Sequence, residues 1–227
     1  MCGRTSLFAP QSVVEERFDA TAVEPLEPRY NIAPREDLAV IRNDSPEQID
    51  LLEWGLLPSW ADPADAPRPI NARAETVTAK RSFAEAFEQR RCLVLADGFY
   101  EWKETRGGKQ PYRVERTDGA PFAMAGLFER WEGDGETAET VTVVTTEPNA
   151  VVEPLHHRMA VVLDRDEAAT WLSDADSETH RELLDPAPAE EWRSYPVSAR
   201  VNDPSNDDPS IVEEIDPDTQ TGLDEFA

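Results

Sequence analysis

Arg91-Cys92-Leu93-Val94-Leu95-Ala96-Asp97-Gly98-Phe99-Tyr100-Glu101-Trp102 is the stretch on which the fold turns. Residues 91–96 read as an apolar, buried strand in which Cys92 is core packing. An acid set between two aromatics follows directly. Working outward, Leu38 to Arg42 is a second branched apolar strand, and Asn43-Asp44-Ser45-Pro46 turns the chain into a partner that ends at Trp54-Gly55. Further strands are expected at 112–116, 122–128, 141–146 and 160–163. Helices are expected at 10–18, after the capping box Ser82-x-x-Glu85 with Phe83 and Phe87 one turn apart, after Asp164 with Glu167, and at 178–184. Residues 58–69, rich in proline and aspartate, read as an irregular loop. Strands outnumber helices, and neither βα alternation nor an internal repeat is present. The expected class is α+β: a single domain over 1–212 with a mostly antiparallel β-sheet core and short flanking helices. Residues 213–227 read as an acidic, disordered tail.

The balance of 47 acidic against 22 basic residues gives a net charge of −25, and the lysines are only Lys80, Lys103 and Lys109. The acids are spread along the whole chain. We read that as a surface adapted to concentrated salt, where a Debye length of ~3 Å at ~1 M screens self-repulsion. No signal peptide or run of transmembrane length is present, so a cytoplasmic protein is expected. Two cysteines do not make a disulfide framework. With three histidines, none at ligand spacing, they give no metal site and no cofactor. Acidity argues against a diffuse nucleic-acid surface. The remaining cations are nearly all arginines, however, and Arg4, Arg73, Arg90, Arg91 and Arg158 lie inside motif-like segments.

The chain begins Met1-Cys2-Gly3-Arg4. Removal of Met1, which the small side chain at position two permits, leaves Cys2 with an α-amine and a thiol on adjacent carbons. With pKa values near ~7.7–8 and ~8.5, both groups are partly nucleophilic at neutral pH. Such a 1,2-aminothiol closes on an aldehyde to a thiazolidine. Toward an acyl group the thiolate attacks instead, with the amine as base. A bare terminal cysteine is equally a frayed chain end, so the other clusters have to decide.

Four polar clusters are not explained by folding alone. If extended, Asn71-Ala72-Arg73-Ala74-Glu75-Thr76 places Asn71, Arg73 and Glu75 on one face. Glu101, between Tyr100 and Trp102, is a candidate acid/base through desolvation, or else a solvated strand residue. In His156-His157-Arg158-Met159 an extended chain would send the two histidines to opposite sides. Trp54-Gly55-Leu56-Leu57-Pro58-Ser59-Trp60 offers aromatic faces for core packing or for base stacking. His180, in a polar helix, reads as a surface residue.

In this order, Cys2-Gly3-Arg4, Tyr30-Asn31-Ile32-Ala33-Pro34, the Trp54–Trp60 segment, Asn71–Thr76, Asp97–Trp102 and His156-x-Arg158-Met159 closely resemble the SRAP family. These are the SOS response-associated peptidase-like proteins that process abasic sites. The likeness runs to Val201-Asn202-Asp203 and Asn206-Asp207-Asp208-Pro209. It implies a monomeric α+β domain that binds single-stranded DNA and its junctions with duplex. Such a domain joins Cys2 covalently to the aldehyde of an abasic site in a lyase-like reaction, with possible peptidase activity on itself. The resemblance implies catalytic roles for Cys2, Asn71, Glu101 and His156, and DNA contacts from Arg4, Asn31, Trp60, Arg73 and Arg158. The chain departs from the family at Ala160 and Leu95, where proline is usual. The alternatives are an amidohydrolase or peptidase with Cys2 as N-terminal nucleophile, and a non-catalytic DNA-binding module.

Overall fold

In the computed structural model, which describes residues 3–106, 108–133 and 135–216, strand Arg91–Ala96 is buried at every position. It pairs antiparallel on one side with strand Phe122–Gly133, from Phe122 opposite Ala96 to Leu127 opposite Arg91. On the other side it pairs with strand Asp37–Arg42 through Val40 opposite Val94. Strand Ser45–Trp54 closes the expected hairpin onto the latter. A strand flanked on both sides and covered on both faces must be apolar throughout, which is why this one reads as a continuous run.

At Asp97 the chain leaves this larger sheet. Residues Gly98–Thr105 enter a five-stranded sheet in the order Trp192–Pro196, Gly108–Arg116, Gly98–Thr105, Thr5–Leu7, Arg29–Ile32. The corner sits on the buried guanidinium of Arg113. A Cβ on Gly98 would fall 2.3 Å from Arg113 Cζ, so only glycine fits. The two sheets share one large apolar core. A second, small cluster of Tyr100, Tyr195, Val197, Val201 and Ile211 seats the C-terminal segment against the outer sheet. The class is therefore α+β, mostly antiparallel, with four short α-helices among the described residues.

Strands Phe122–Gly133 and Glu136–Thr146 run together only as far as Gly126 opposite Val143. Beyond that point they part and residues 159–163 wedge between them. Val161 N–H donates to Val144 O, and Ala125 N–H donates to Val161 O, both at 2.9 Å. The expected single strand at 160–163 is thereby divided into Met159–Ala160 on one neighbour and Val162–Leu163 on the other. On the far edge of Glu136–Thr146, strand Asn71–Arg73 pairs in parallel with Val143 to Thr145.

Other expectations need correction. The second helix, Ala84–Gln89, has no side-chain cap. The chain enters this helix through a turn in which the amides of Phe83 and Ala84 bond to Lys80 O, and the Ser82 box does not form. The Asp164 box forms fully, ahead of helix Arg165–Leu172. His180 is buried, its ring edge-on to Phe87 and Trp171 and its Nε2 3.2 Å from Thr170 O. The short helix Ser177–Glu182 turns it inward. Strands Thr5–Leu7, Arg29–Ile32 and Trp192–Pro196 lacked a sequence signature. Of the segment 213–227, Glu214 bridges to Val197, and residues 217–227 lie outside the described chain.

Gly98→Ala drives a methyl into a guanidinium that has no room to retreat. We expect a loss of about 2–3 kcal/mol, measured by chemical denaturation, as for other overpacked core sites. A variant as stable as the parent would show that Arg113 can move.

Candidate active site

Two places come together around the end of strand Glu136–Thr146. On one edge, Asn71 and Arg73 point to the same side of their strand, with Ala72 fully buried on the other. The extended run stops there, because Ala74–Thr76 is a turn of 3-10 helix. Glu75 therefore leaves the Asn71–Arg73 face. Instead its carboxylate takes both terminal nitrogens of Arg158, one at 3.1 Å. Arg158 also donates to Thr145 O, so one 8 %-exposed guanidinium ties the two edges of the strand end to each other. The Arg158 hydrogen bond holds the Glu75 carboxyl below its ordinary pKa.

His156 and His157 do not diverge as an extended chain would require. They lie in a turn with their rings stacked, centroids 4.2 Å apart, and both line one cleft of about 650 Å³. His156 Nδ1 lies 3.0 Å from the Arg158 amide and 3.2 Å from Arg158 O, so the Arg158 backbone fixes the orientation of the ring through Nδ1. Burial, helped by the charges of His157 and Arg158, lowers the His156 pKa. The opposite wall of the cleft comes from the hairpin of Gly98–Thr105 and Gly108–Arg116, through Trp102, Glu104 and Lys109.

Trp102 follows Glu101, which is 2 % exposed. Burial pushes the Glu101 carboxyl up to about 7, where it can both accept and return a proton in the neutral range. Glu101 lies beside the start of the chain. Thr5 pairs with Phe99, and the Tyr100 amide donates to Arg4 O at 2.9 Å. Cys2, two residues earlier, lies outside the described residues. Arg4 is 9 % exposed and donates to Asn31 Oδ1 at 2.7 Å and to Val201 O. Asn31 is fully buried. The Nε atoms of Arg4 and Arg158 are buried with no protein acceptor among the described residues.

Trp60 does not line the cleft. It is 49 % exposed in the 58–69 loop, with the Arg81 guanidinium 4.0 Å from its ring centre. The loop is tied down by Trp131 Nε1–H to Ala61 O at 2.9 Å. Arg81 escaped the sequence reading because nothing in its neighbourhood marks a partner some 20 positions away. The pair Asp97 and Arg113 escaped it too. Arginine at 113 shares the inward phase of its strand with Pro111 and Glu115, all three buried. That pattern was there to be read. Among the described residues no group of side chains is arranged to hold a metal.

The sequence pattern of the SOS response associated peptidase (SRAP) family matches residues 1–204. The chain is 38% identical over 222 residues to the abasic site processing protein YoqW of Bacillus subtilis, covering 94% of this chain and 99% of that protein. It is 31% identical to the abasic site processing protein YedK of Escherichia coli, with 95% and 100% covered. It is 34% identical to the chicken protein HMCES of the same description, with 83% and 67% covered. A crystal structure of a Bacteroides thetaiotaomicron protein superposes with a TM-score of 0.87 at 28% identity, over 94% of this chain and all of that one.

A carboxyl held at about 7 in the folded chain, against ~4.3 in an unfolded one, leaves a mark on stability. Between those values the folded state binds the extra proton. The stability linked to it is complete below pH ~4.3 and lost as pH rises through about 7. Glu101→Gln cannot ionise, so its unfolding free energy should gain on the parent from pH 5 to about pH 7 and then level off. The difference at the top should reach on the order of 3 kcal/mol. A gap between the two proteins that stays constant across that range would assign Glu101 an ordinary carboxyl.

Proposed function

The chain belongs to the SOS response associated peptidase family, and from that membership we propose that it processes abasic sites in single-stranded DNA by a covalent cross-link through Cys2. The observation that carries the reading is Glu101, a buried carboxyl with a pKa of about 7 on the strand hydrogen-bonded to the residues that follow Cys2. An imine route requires such a group at such a place. The α-ammonium of Cys2 must lose a proton before it can attack, and the same proton can leave later with water.

After removal of Met1, the ring-opened sugar presents its C1 aldehyde. Glu101 takes a proton from the α-ammonium, and the amine adds to C1 to give a carbinolamine. Glu101 returns the proton to the C1 hydroxyl, which departs as water and leaves an imine. The Cys2 thiolate then adds to the imine carbon, the nitrogen takes up a proton, and a thiazolidine results. The sum is aminothiol plus aldehyde giving thiazolidine plus one water. His156, held at Nδ1 by the Arg158 backbone, gives a proton to the ring oxygen as the sugar opens, and the same ring serves closure and reversal. Asn71 orients the sugar. Arg73, exposed on the face it shares with Asn71, takes a backbone phosphate, and Arg4 and Arg158 add fixed positive charge behind it. Trp60 with Arg81 would stack an unpaired base, which supports the reading of single strands and their junctions with duplex as substrates. The protein works as a monomer in the cytoplasm, and its acidic surface suits multimolar salt.

Purified protein incubated with single-stranded DNA bearing one abasic site, at low and at multimolar salt, should give an adduct stable to denaturing electrophoresis. By intact mass it should lack Met1 and one water. Cys2→Ala should abolish the adduct entirely while changing DNA affinity less than two-fold. No adduct from the parent at any salt, together with release of ammonia from glutamine or cleavage of peptides, would move Cys2 to the hydrolase reading.

A further inference from the structure

Residues 201–207 carry one of the motifs for which the chemistry above has no use. They are nevertheless bonded to several parts of the site. Asn31 Nδ2 donates to Asn206 O at 2.7 Å and to Asp203 O at 3.1 Å. Its Oδ1 accepts from Arg4, which also donates to Val201 O. Asp207 Oδ1 receives the amides of Tyr30 and Asn31 at 2.5 and 2.9 Å, and its Oδ2 receives Arg29 Nε at 2.5 Å. At the other side of the segment, Asn202 Oδ1 accepts Trp102 Nε1–H at 2.8 Å. The segment therefore touches the chain two residues after Cys2 and the cleft wall one residue after Glu101.

The ties differ in what they do for stability. Val201 and Ile211 already anchor the segment apolarly against Tyr100, Tyr195 and Val197. Asn31 and Asp207 satisfy backbone groups that burial would otherwise leave without partners. The bond from Asn202 to the indole is exposed, and exposed hydrogen bonds add little to folding. What it does fix is orientation. An indole has two rotatable bonds, and a single acceptor at Nε1 selects which face of the ring lines the cleft that Trp102 shares with His156.

We propose that residues 201–207 form a clasp that positions the reacting groups, and that Asn202 is its positioning residue, holding the Trp102 indole as the wall of the reaction cleft. The proposal rests on the cross-linking reading for its rate readout alone. Asn202 touches neither DNA nor Cys2 in this scheme and acts only through Trp102.

The test uses full-length protein freed of Met1 and single-turnover cross-linking to a single-stranded abasic oligonucleotide. Asn202→Ala and Trp102→Phe should each slow the rate at saturating DNA by roughly three- to ten-fold, the size expected for one lost hydrogen bond. The half-saturating DNA concentration and the melting temperature should stay unchanged. Asn202→Asp, which keeps the acceptor, should restore the rate to within two-fold of the parent. The double variant Asn202→Ala with Trp102→Phe should be no slower than the slower single one. Additive losses, a change confined to half-saturation, or full activity in Asn202→Ala would each overturn the proposal. The indole N–H resonances of nitrogen-15-labelled tryptophan give a second readout that needs no chemistry. Asn202→Ala should shift one of them and speed its exchange with solvent, while Asn202→Asp should leave it protected. If the parent formed no adduct, the cross-linking reading would fall, and an unmoved indole resonance would still overturn the clasp independently.

Discussion

The buried ion pair of Arg113 with Asp97 is the interaction that the placement of the site depends on. Arg113 is fully buried and gives Nη2 to Asp97 Oδ1 at 3.2 Å, Nη1 to Ser6 Oγ at 2.7 Å and Nε to Glu115 at 2.8 Å. Asp97 uses its remaining valence on the N-terminal chain. It accepts from Ser6 Oγ at 2.6 Å and from the amides of Phe8 and Ala9 at 2.6 and 3.0 Å. A pair so fully hydrogen-bonded can repay its desolvation, whereas removing either partner would strand a charge in the core at a cost of about 3–5 kcal/mol. A hydrophobic pair of the same volume would serve folding as well. It could not also hold the amides of residues 8 and 9, and so could not hold strand Thr5–Leu7 in register beside Glu101. The corner between the two sheets and the seating of the N-terminal strand are thus one device.

A second constraint sets the other half of the site. Parting two strands and wedging residues 159–163 between them leaves the preceding turn at the mouth of the split, and that turn carries His156 and Arg158. Arg158 then crosses the strand end to Glu75. Because the Arg158 backbone also holds His156 Nδ1, the ion pair and the orientation of the imidazole are set by the same residue. Ala160 pairs with Thr145, and the split itself keeps the turn in place there.

How much of this was legible in the sequence follows from where each signal is stored. Strand Arg91–Ala96 and its neighbours were visible because burial on both faces writes an unbroken apolar run. The Asp164 helix was visible because its cap is local. The exposed loop of 58–69 was visible from proline and aspartate alone. Three-residue and four-residue strands such as Thr5–Leu7 and Arg29–Ile32 are too short for a period to show. They are held by distant residues: Asp97 takes the amides just after Thr5–Leu7, and Asp207 takes those of Tyr30 and Asn31. Glu101 was legible as a perturbed acid from its aromatic flanks. Its position beside the N-terminal segment was not, since a pairing register between residues some 95 positions apart leaves no trace in either segment. His180 shows the converse failure. Its polar neighbours in the chain hid a ring that packs against Phe87 and Trp171.

The net charge of −25 finds its place in the same economy of cations. Most arginines are committed inside the protein: Arg113 to Asp97 and Glu115, Arg91 to four backbone carbonyls, Arg29 to Glu36 and Asp207. Few positive groups remain to neutralise phosphates, so little affinity can come from released counterions, and what there is fades as salt rises. A protein that relied on such contacts would lose its DNA in concentrated salt. A bond formed between an aminothiol and an aldehyde carries no such dependence. Under the proposed function, a covalent hold on the lesion is therefore the form of recognition that an acidic surface does not oppose.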